Sequence, residues 1–270
     1  MDIEQGSIIF GLNSKKYPEQ ACFGVIITAS CDIANQKVGE VYYLTAVNVK
    51  EWLCTKMGHA LVINNKRKAL YNKLQQQVRS QRLNESLLVK LSLEEVKTVI
   101  NETVTHDKTR EDILNNIHNY LEIINDSTVE KRKGDAQLYS HDCGELLKQI
   151  SKGDYHRFIY LPEIAYMESS KKDNGIIVDF QEINCLPMEE IRLLVNGEID
   201  YMIQEDNLDN LQKLKEGFWL KNKDDFAFLY GKISSPWREH LMQHFSFYFT
   251  RIGLDRAETK DFQKISEGIK

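Results

Sequence analysis

Residues 22–49 read CFGVIITASCDIANQKVGEVYYLTAVNV, and the way this stretch divides decides the fold. Cys22 to Ala29 is a nearly continuous run of apolar and β-branched residues, the pattern of a strand buried on both faces. Asp32, Asn35 and Gly39 then supply turn chemistry. Glu40 to Val49 resumes as another strand. Upstream, Ser7 to Phe10 is a short apolar run closed by the turn residues Gly11, Asn13 and Pro18. The first fifty residues are therefore three strands.

After Trp52 the period changes. Apolar residues fall at helical spacing in three sets: Leu70, Leu74 and Val78; Leu93, Val96, Val99 and Ile100; Ile113, Ile117, Leu121 and Ile124. Ser92 with Glu95 makes a capping box, and Thr109 with Asp112 resembles a second. Three helices are predicted between Asn64 and Asn125, a mobile loop at 127–140, and a short helix from Cys143 to Ser151.

Strand patterns return at Arg157 to Ile164 (RFIYLPEI), Gly175 to Ile183 (GIIVDFQEI) and Phe226 to Ile233 (FAFLYGKI). Pro187, read as a first helical residue, opens a short helix through Leu194. Gly197 to Asp209 carries five acidic residues and no basic one and reads as a solvated acidic segment. Ser234-Ser235-Pro236 starts a long helix with Trp237, Leu241, Phe245, Tyr248 and Ile252 along one stripe, and Gly253 fits its end.

Three strands precede the helical stretch and three follow it. Each half alone is too small to bury a face, so both halves are predicted to join in one domain, 1–52 plus 153–270, with 53–152 as a helical insertion. Clustered strands make the class α+β rather than alternating β and α. The expected architecture is a small SH3-like β-barrel or strongly bent sheet, closed by the C-terminal helix.

With 270 residues, 42% hydrophobic and 28% charged, the chain has an ordinary globular composition and needs no disulfide or metal for stability. A formal net charge of −5 excludes a polybasic protein but not a local basic face. No apolar run approaches the roughly 20 residues of a membrane helix, and Asp2 and Glu4 stand where a secretory leader would be basic; a cytoplasmic protein is expected. Cys22, Cys31, Cys54, Cys143 and Cys185 lack metal-ligand spacing and read as reduced thiols, four of them buried. No glycine-rich phosphate loop or nucleophile elbow is present, so no cofactor is expected.

Residues 5–49 follow an order that resembles the PemK/MazF family of toxin endoribonucleases. The family's opening strand is matched by Gly6-Ser7-Ile8-Ile9. Its second strand and polar turn are matched by Val25 to Thr28 and then Ala29-Ser30-Cys31-Asp32. The apolar-Thr pair ending a further strand is matched by Leu44-Thr45. The resemblance implies an SH3-like barrel, a bacterial toxin–antitoxin or antiviral defence setting, and Thr45 as a catalytic or substrate-contacting residue. The family's RNA-binding arginine before the second strand is replaced here by Ala21-Cys22-Phe23-Gly24. Beyond residue 50 the match to that family is lost. ITASCDIAN, IYLPEI with VDFQEI, and SSPWREHLMQHFSFYFTRIGL are also similar to a group of bacterial proteins without an established activity.

Four constellations bear on chemistry. Ser30-Cys31-Asp32 follows a strand end, where Cys31 could serve a cysteine hydrolase if a base lay within reach; the alternative is an Asx turn with Cys31 packed inward. His240 and His244, one helical turn apart, stand in HLMQH, which lacks the Glu of a zincin, so they are read with Arg238 as partner-facing residues. Leu61 to Asn84 contains Lys66, Arg67, Lys68, Lys73, Arg79 and Arg82 and no acidic residue. Such a helix can neutralise phosphates of RNA or DNA, dock a protein partner, or present a solvated face. Asp179 reads as a surface carboxylate, or with Glu163 as a metal pair. The leading expectation is a non-enzymatic interaction module; the alternatives are a degenerate endoribonuclease using Thr45 and Asp32, and a hydrolase using Cys31.

Overall fold

In the first buried run, Cys22–Ile26, every residue is buried, and it lies at the centre of an antiparallel sheet. In this computed structural model the chain is described over residues 3–125, 140–162, 175–197, 199–201 and 208–250. The strands are β1 Ser7–Leu12, β2 Cys22–Ile26, β3 Glu40–Asn48, β4 Phe158–Leu161, β5 Ile176–Pro187, β6 Ile199–Asp200 and β7 Phe226–Lys232. Their order is β4-β5-β3-β2-β1-β7-β6, so strands from both sides of the helical stretch share one sheet. The architecture is α+β.

The order is linear, with β4 and β6 at its two edges. No pairing joins these edges among the described residues, so a closed barrel is not what forms. The sheet ends on strands of four and two residues, and short edge strands limit further pairing. Register shifts interrupt the pairing of β1 with β2, of β1 with β7 and of β3 with β5, as bulges do where a sheet bends. Gly11 stands at the first of these with φ 88°; a Cβ there would lie 2.4 Å from the Phe226 carbonyl oxygen, which only glycine avoids.

By proximity the chain separates into two compact units, Met1–Asn48 with Gly153–Lys270, and Val49–Lys152. The sheet unit also carries α1 Ser30–Ala34, α8 Met188–Asn196, α9 Leu208–Gly217 and α10 Trp237–Thr250. One face of the sheet, with Ile8, Val25, Leu44, Ala46, Val178 and Phe180, forms a core with Leu241. The rings of Phe245 and Tyr248 stand 6.0 Å from that of Phe180. Burying a side chain of Phe180's size is worth about 2–3 kcal/mol.

The helical unit holds α2 Val49–Cys54, α3 Lys56–Ser80, α4 Leu87–Lys90, α5 Leu93–Thr103, α6 Asp107–Asn125 and α7 Ser140–Ser151. Members of all three apolar sets meet in one core: Leu74 and Val78 of α3, Val96 and Ile100 of α5, and Ile113 and Ile117 of α6; Ile124, read as part of the third set, is exposed instead. The Ser92–Glu95 capping box is formed. Thr109 does not start α6, which begins two residues earlier; its amide donates to His106 Nδ1 instead.

Other expectations shift in detail. Pro187 ends β5 and is the N-cap of α8 rather than its first residue, and α10 begins after Pro236 rather than at it. Within the acidic segment Ile199 is buried and pairs with Ala227 as β6. The loop expected at 127–140 lies outside the described residues except for Ser140, which begins α7; Glu163, Ile252 and Gly253 also lie outside them. No helix among the described residues is long and apolar enough to cross a membrane.

Candidate functional site

The helix α3 is built from a stretch with no acidic residue over its 25 positions. Thr55 caps its start: the Gly58 amide donates to Thr55 Oγ1, which itself donates to the Trp52 carbonyl. Gly58 packs so tightly that a Cβ would stand 2.1 Å from that same carbonyl oxygen. At its other end the Leu83 amide donates to the Val78 carbonyl and the Arg82 amide to the Arg79 carbonyl, a Schellman closure. Arg82, at φ 59°, takes the left-handed place where glycine is usual. The basic run therefore splits: Lys66, Arg67, Lys68, Lys73 and Arg79 are helical, and Arg82 lies beyond the helix.

Their charges are not equally free. Lys66 Nζ lies 3.6 Å from Asp142 Oδ2, and Arg79 is paired with Glu85. Lys73 is exposed and donates to the neutral Asn116 Oδ1 at 3.2 Å, with no acidic partner among the described residues. Arg67, Lys68 and Arg82 are exposed, with no acidic partner among the described residues. The chain from Val49 to Lys152 contains 17 basic and 14 acidic residues, against 35 and 40 in the whole. The negative charge of the protein thus resides in the remainder of the sequence, and the helical stretch carries a positive excess.

In the sheet unit the candidate catalytic residues do not assemble. Thr45 is fully buried, opposite Gly24 on β2 and beside the β3–β5 register shift. Its Oγ1 accepts from Asn184 Nδ2 at 2.9 Å. Cys31 and Asp32 open the five-residue α1. Cys31 is exposed rather than packed inward, and its thiol lies 3.6 Å from Asp32 Oδ1. Among the described residues no hydrogen bond or ion pair links Cys31 or Asp32 to Thr45 or to a histidine. Of the five thiols only Cys22 and Cys143 are buried, fewer than expected.

Two buried carboxyl groups prove central, Asp179, read from the sequence as a surface carboxylate, and Glu190, which that reading passed over. Asp179 is not a surface carboxylate but 1% exposed. Its Oδ2 accepts from Lys16 Nζ at 2.6 Å and from Tyr17 Oη at 2.9 Å. Arg157 grips both oxygens at 2.9 Å, and the Gln181 amide donates to Oδ1. Two cations, a phenol and an amide saturate one carboxylate and tie the β1–β2 connection to β5. The available signal was an ionisable residue inside a run, IIVDF, too apolar to be half-solvated. Glu190 is 8% exposed, and its Oε2 has no hydrogen-bond partner among the described residues. Burial pushes its carboxyl up, with Lys213 opposing. Nearby, burial and then the cysteines Cys22 and Cys185 push the Tyr43 phenol up.

On α10, Arg238 bonds to Glu239 Oε1 and its stem lies over Gly6, where a Cβ would stand 2.9 Å from Arg238 Cδ. His240 and His244 stack with ring centres 5.9 Å apart. Burial, with His240 and His156 nearby, holds the His244 imidazole below its ordinary value. Among the described residues no three His, Cys, Asp or Glu side chains are placed to hold a metal ion. The comparisons with known proteins add no assignment: no protein-family model, no curated protein and no solved structure matches the chain.

Proposed function

We propose that this chain is a nucleic-acid-binding module, non-enzymatic by itself, whose phosphate contacts come from α3 and its cap. The observation that carries this reading is the acid-free 25-residue helix on which Arg67, Lys68 and Lys73 are exposed without a carboxylate. A merely solvated helix gains by mixing signs, since Glu–Lys pairs one turn apart stabilise it; α3 forgoes them. Its cations form a polyanion-binding face whose attraction arises largely from counterion release. An SH3-like kinship and a bacterial defence setting belong to this proposal through the sequence resemblance of residues 5–49 to PemK/MazF alone. The ribonuclease alternative is disfavoured by the burial of Thr45 and its commitment to Asn184.

The test is titration of the full chain with mixed RNA and with duplex DNA between roughly 50 and 300 mM salt. Affinity is expected to fall steeply with salt, and Arg67→Gln/Lys68→Gln/Lys73→Gln is expected to flatten the log–log slope by about 2–3, close to one per phosphate contact removed. Salt-independent binding, or a triple variant that binds as the parent does, overturns the reading. Cleavage of the RNA that disappears in Thr45→Ala would replace it with the ribonuclease.

A further inference from the structure

We infer that α3 enters the major groove of duplex DNA and reads base edges there through Asn64, Asn72 and Gln76, so that binding carries a sequence preference. This rests on the proposal that α3 is the nucleic-acid face and goes further, because phosphate neutralisation alone needs only cations and reads no sequence. The outward row of α3 is not purely cationic. Asn64, Lys68, Asn72 and Gln76 recur every fourth residue and all four are exposed. Along a helix rising 1.5 Å per residue they follow one another at about 6 Å intervals, each turned about 40° from the last, in a row that winds about 120° around the helix.

The amides of this one helix divide by direction. Two turned toward neighbouring helices are consumed: Asn65 Nδ2 donates to Gln149 Oε1 at 2.9 Å, and Gln77 Oε1 accepts from Asn116 Nδ2 at 3.0 Å; Gln75 is half-buried. The three in the outward row have no hydrogen-bond partner among the described residues. A side-chain amide offers a donor and an acceptor in one plane, which matches adenine N6 and N7, while a lysine in the same row suits guanine O6 and N7. At about 100° per residue, Arg67 and Lys73 stand about 120° to either side of the row. Both stand behind the flanks of the row, Lys73 on the α6 side where it donates to Asn116 Oδ1, and reach phosphates beside a groove along the length of their side chains.

Shape selects duplex DNA among nucleic acids. A helix 10–12 Å across fits the roughly 12 Å major groove of B-form DNA, whereas the deep, narrow major groove of A-form RNA excludes it. Single strands are bound chiefly by stacking on free aromatic rings. The one aromatic residue of α3, Tyr71, is taken up by Tyr120, with ring centres 5.8 Å apart.

The experiment is a selection from duplex DNA with a randomised core of roughly 12 base pairs, using the full chain. It is followed by titration of the enriched duplex, a scrambled duplex, and the single-stranded and RNA-duplex versions of the enriched sequence. An enriched motif of a few base pairs is expected, bound at least tenfold more tightly than its scramble. Asn72→Ala/Gln76→Ala is expected to bring the two within about twofold while leaving the salt slope unchanged, whereas Arg67→Gln/Lys73→Gln lowers both affinities together. These four residues are exposed, so unchanged circular dichroism distinguishes lost readout from lost folding. Salt-dependent binding of duplex without any enriched motif, or tighter binding of single strands or RNA, overturns the inference and leaves the broader proposal standing. Failure to bind any nucleic acid overturns both.

Discussion

At position 179 an aspartate sits inside Ile176-Ile177-Val178-Asp179-Phe180, where every residue is buried. An isolated carboxylate there would carry a desolvation cost far larger than a strand's margin of stability. It is tolerated because Arg157, Lys16, Tyr17 and an amide satisfy it from four directions. Removing the carboxylate alone strands the cations, so Asp179→Asn is expected to cost about 3–5 kcal/mol, the usual result of breaking one side of a buried pair; urea unfolding measures it, and a change under about 1 kcal/mol would refute this account. Glu190 lies at the opposite extreme, buried with one oxygen that has no hydrogen-bond partner among the described residues. Its carboxyl is pushed up in the folded state, so its contribution to stability is full below the ordinary carboxylate range and is lost as pH rises through the folded value. Glu190→Gln is therefore expected to gain on the parent in melting temperature between about pH 4 and pH 7. Equal melting curves across that range would show that the carboxyl is not strained. Both groups were invisible as a pair of opposites in the sequence, because one-dimensional patterning marks burial but not the partners brought in from 22 and more than 160 residues away.

At the scale of elements, the strands with β-branched runs and the helices with three or more stripe positions were legible, because their side chains repeat with the period of the backbone. The strand β6 was not: two residues are too few for any period, and acidic neighbours masked the buried Ile199. The end of α3 was overread for a similar reason, since polar residues continue to Asn84 without the glycine that usually marks a helix end. Arg82 fills that place at φ 59°, a conformation costly to any residue with a Cβ. Arg82→Gly is accordingly expected to stabilise the protein by about 0.5–1 kcal/mol, read as a raised urea midpoint, while weakening the proposed nucleic-acid binding only modestly through the loss of one charge. A fall in the midpoint would mean that the arginine side chain, and not the turn, holds the helix end. The candidate face itself was legible as a basic run, yet its division into paired and unpaired cations was not. That division depends on Asp142, Glu85 and Asn116, which only the folded helices bring to α3.

For the whole molecule, the decisive fact is that the longest pairing in the sheet, β3 with β5 from Glu40↔Pro187 to Asn48↔Ile176, joins segments on either side of the helical stretch. The clustered strand runs pointed to this because half a sheet cannot bury a face; an open rather than closed sheet did not follow from them, since closure depends on bulges and edge lengths that periodicity does not encode. Each unit has a core of its own, one around Leu44, Val178 and Phe180 and one around Leu74, Ile100 and Ile117. Ile117 is fully buried, and its replacement by Ala is expected to cost about 2–5 kcal/mol. Because that core is made only of residues from the helical unit, the damage should stay local in the sense of sub-global opening. Hydrogen exchange followed by mass spectrometry is expected to accelerate in peptides from α3, α5 and α6 of Ile117→Ala, with the amides of β2, β3 and β5 protected as in the parent. Leu44→Ala reverses the pattern at the sheet. Equal acceleration in both units from either substitution would show one cooperative core, and the proposed nucleic-acid face could then no longer be treated as a structure that stands on its own packing.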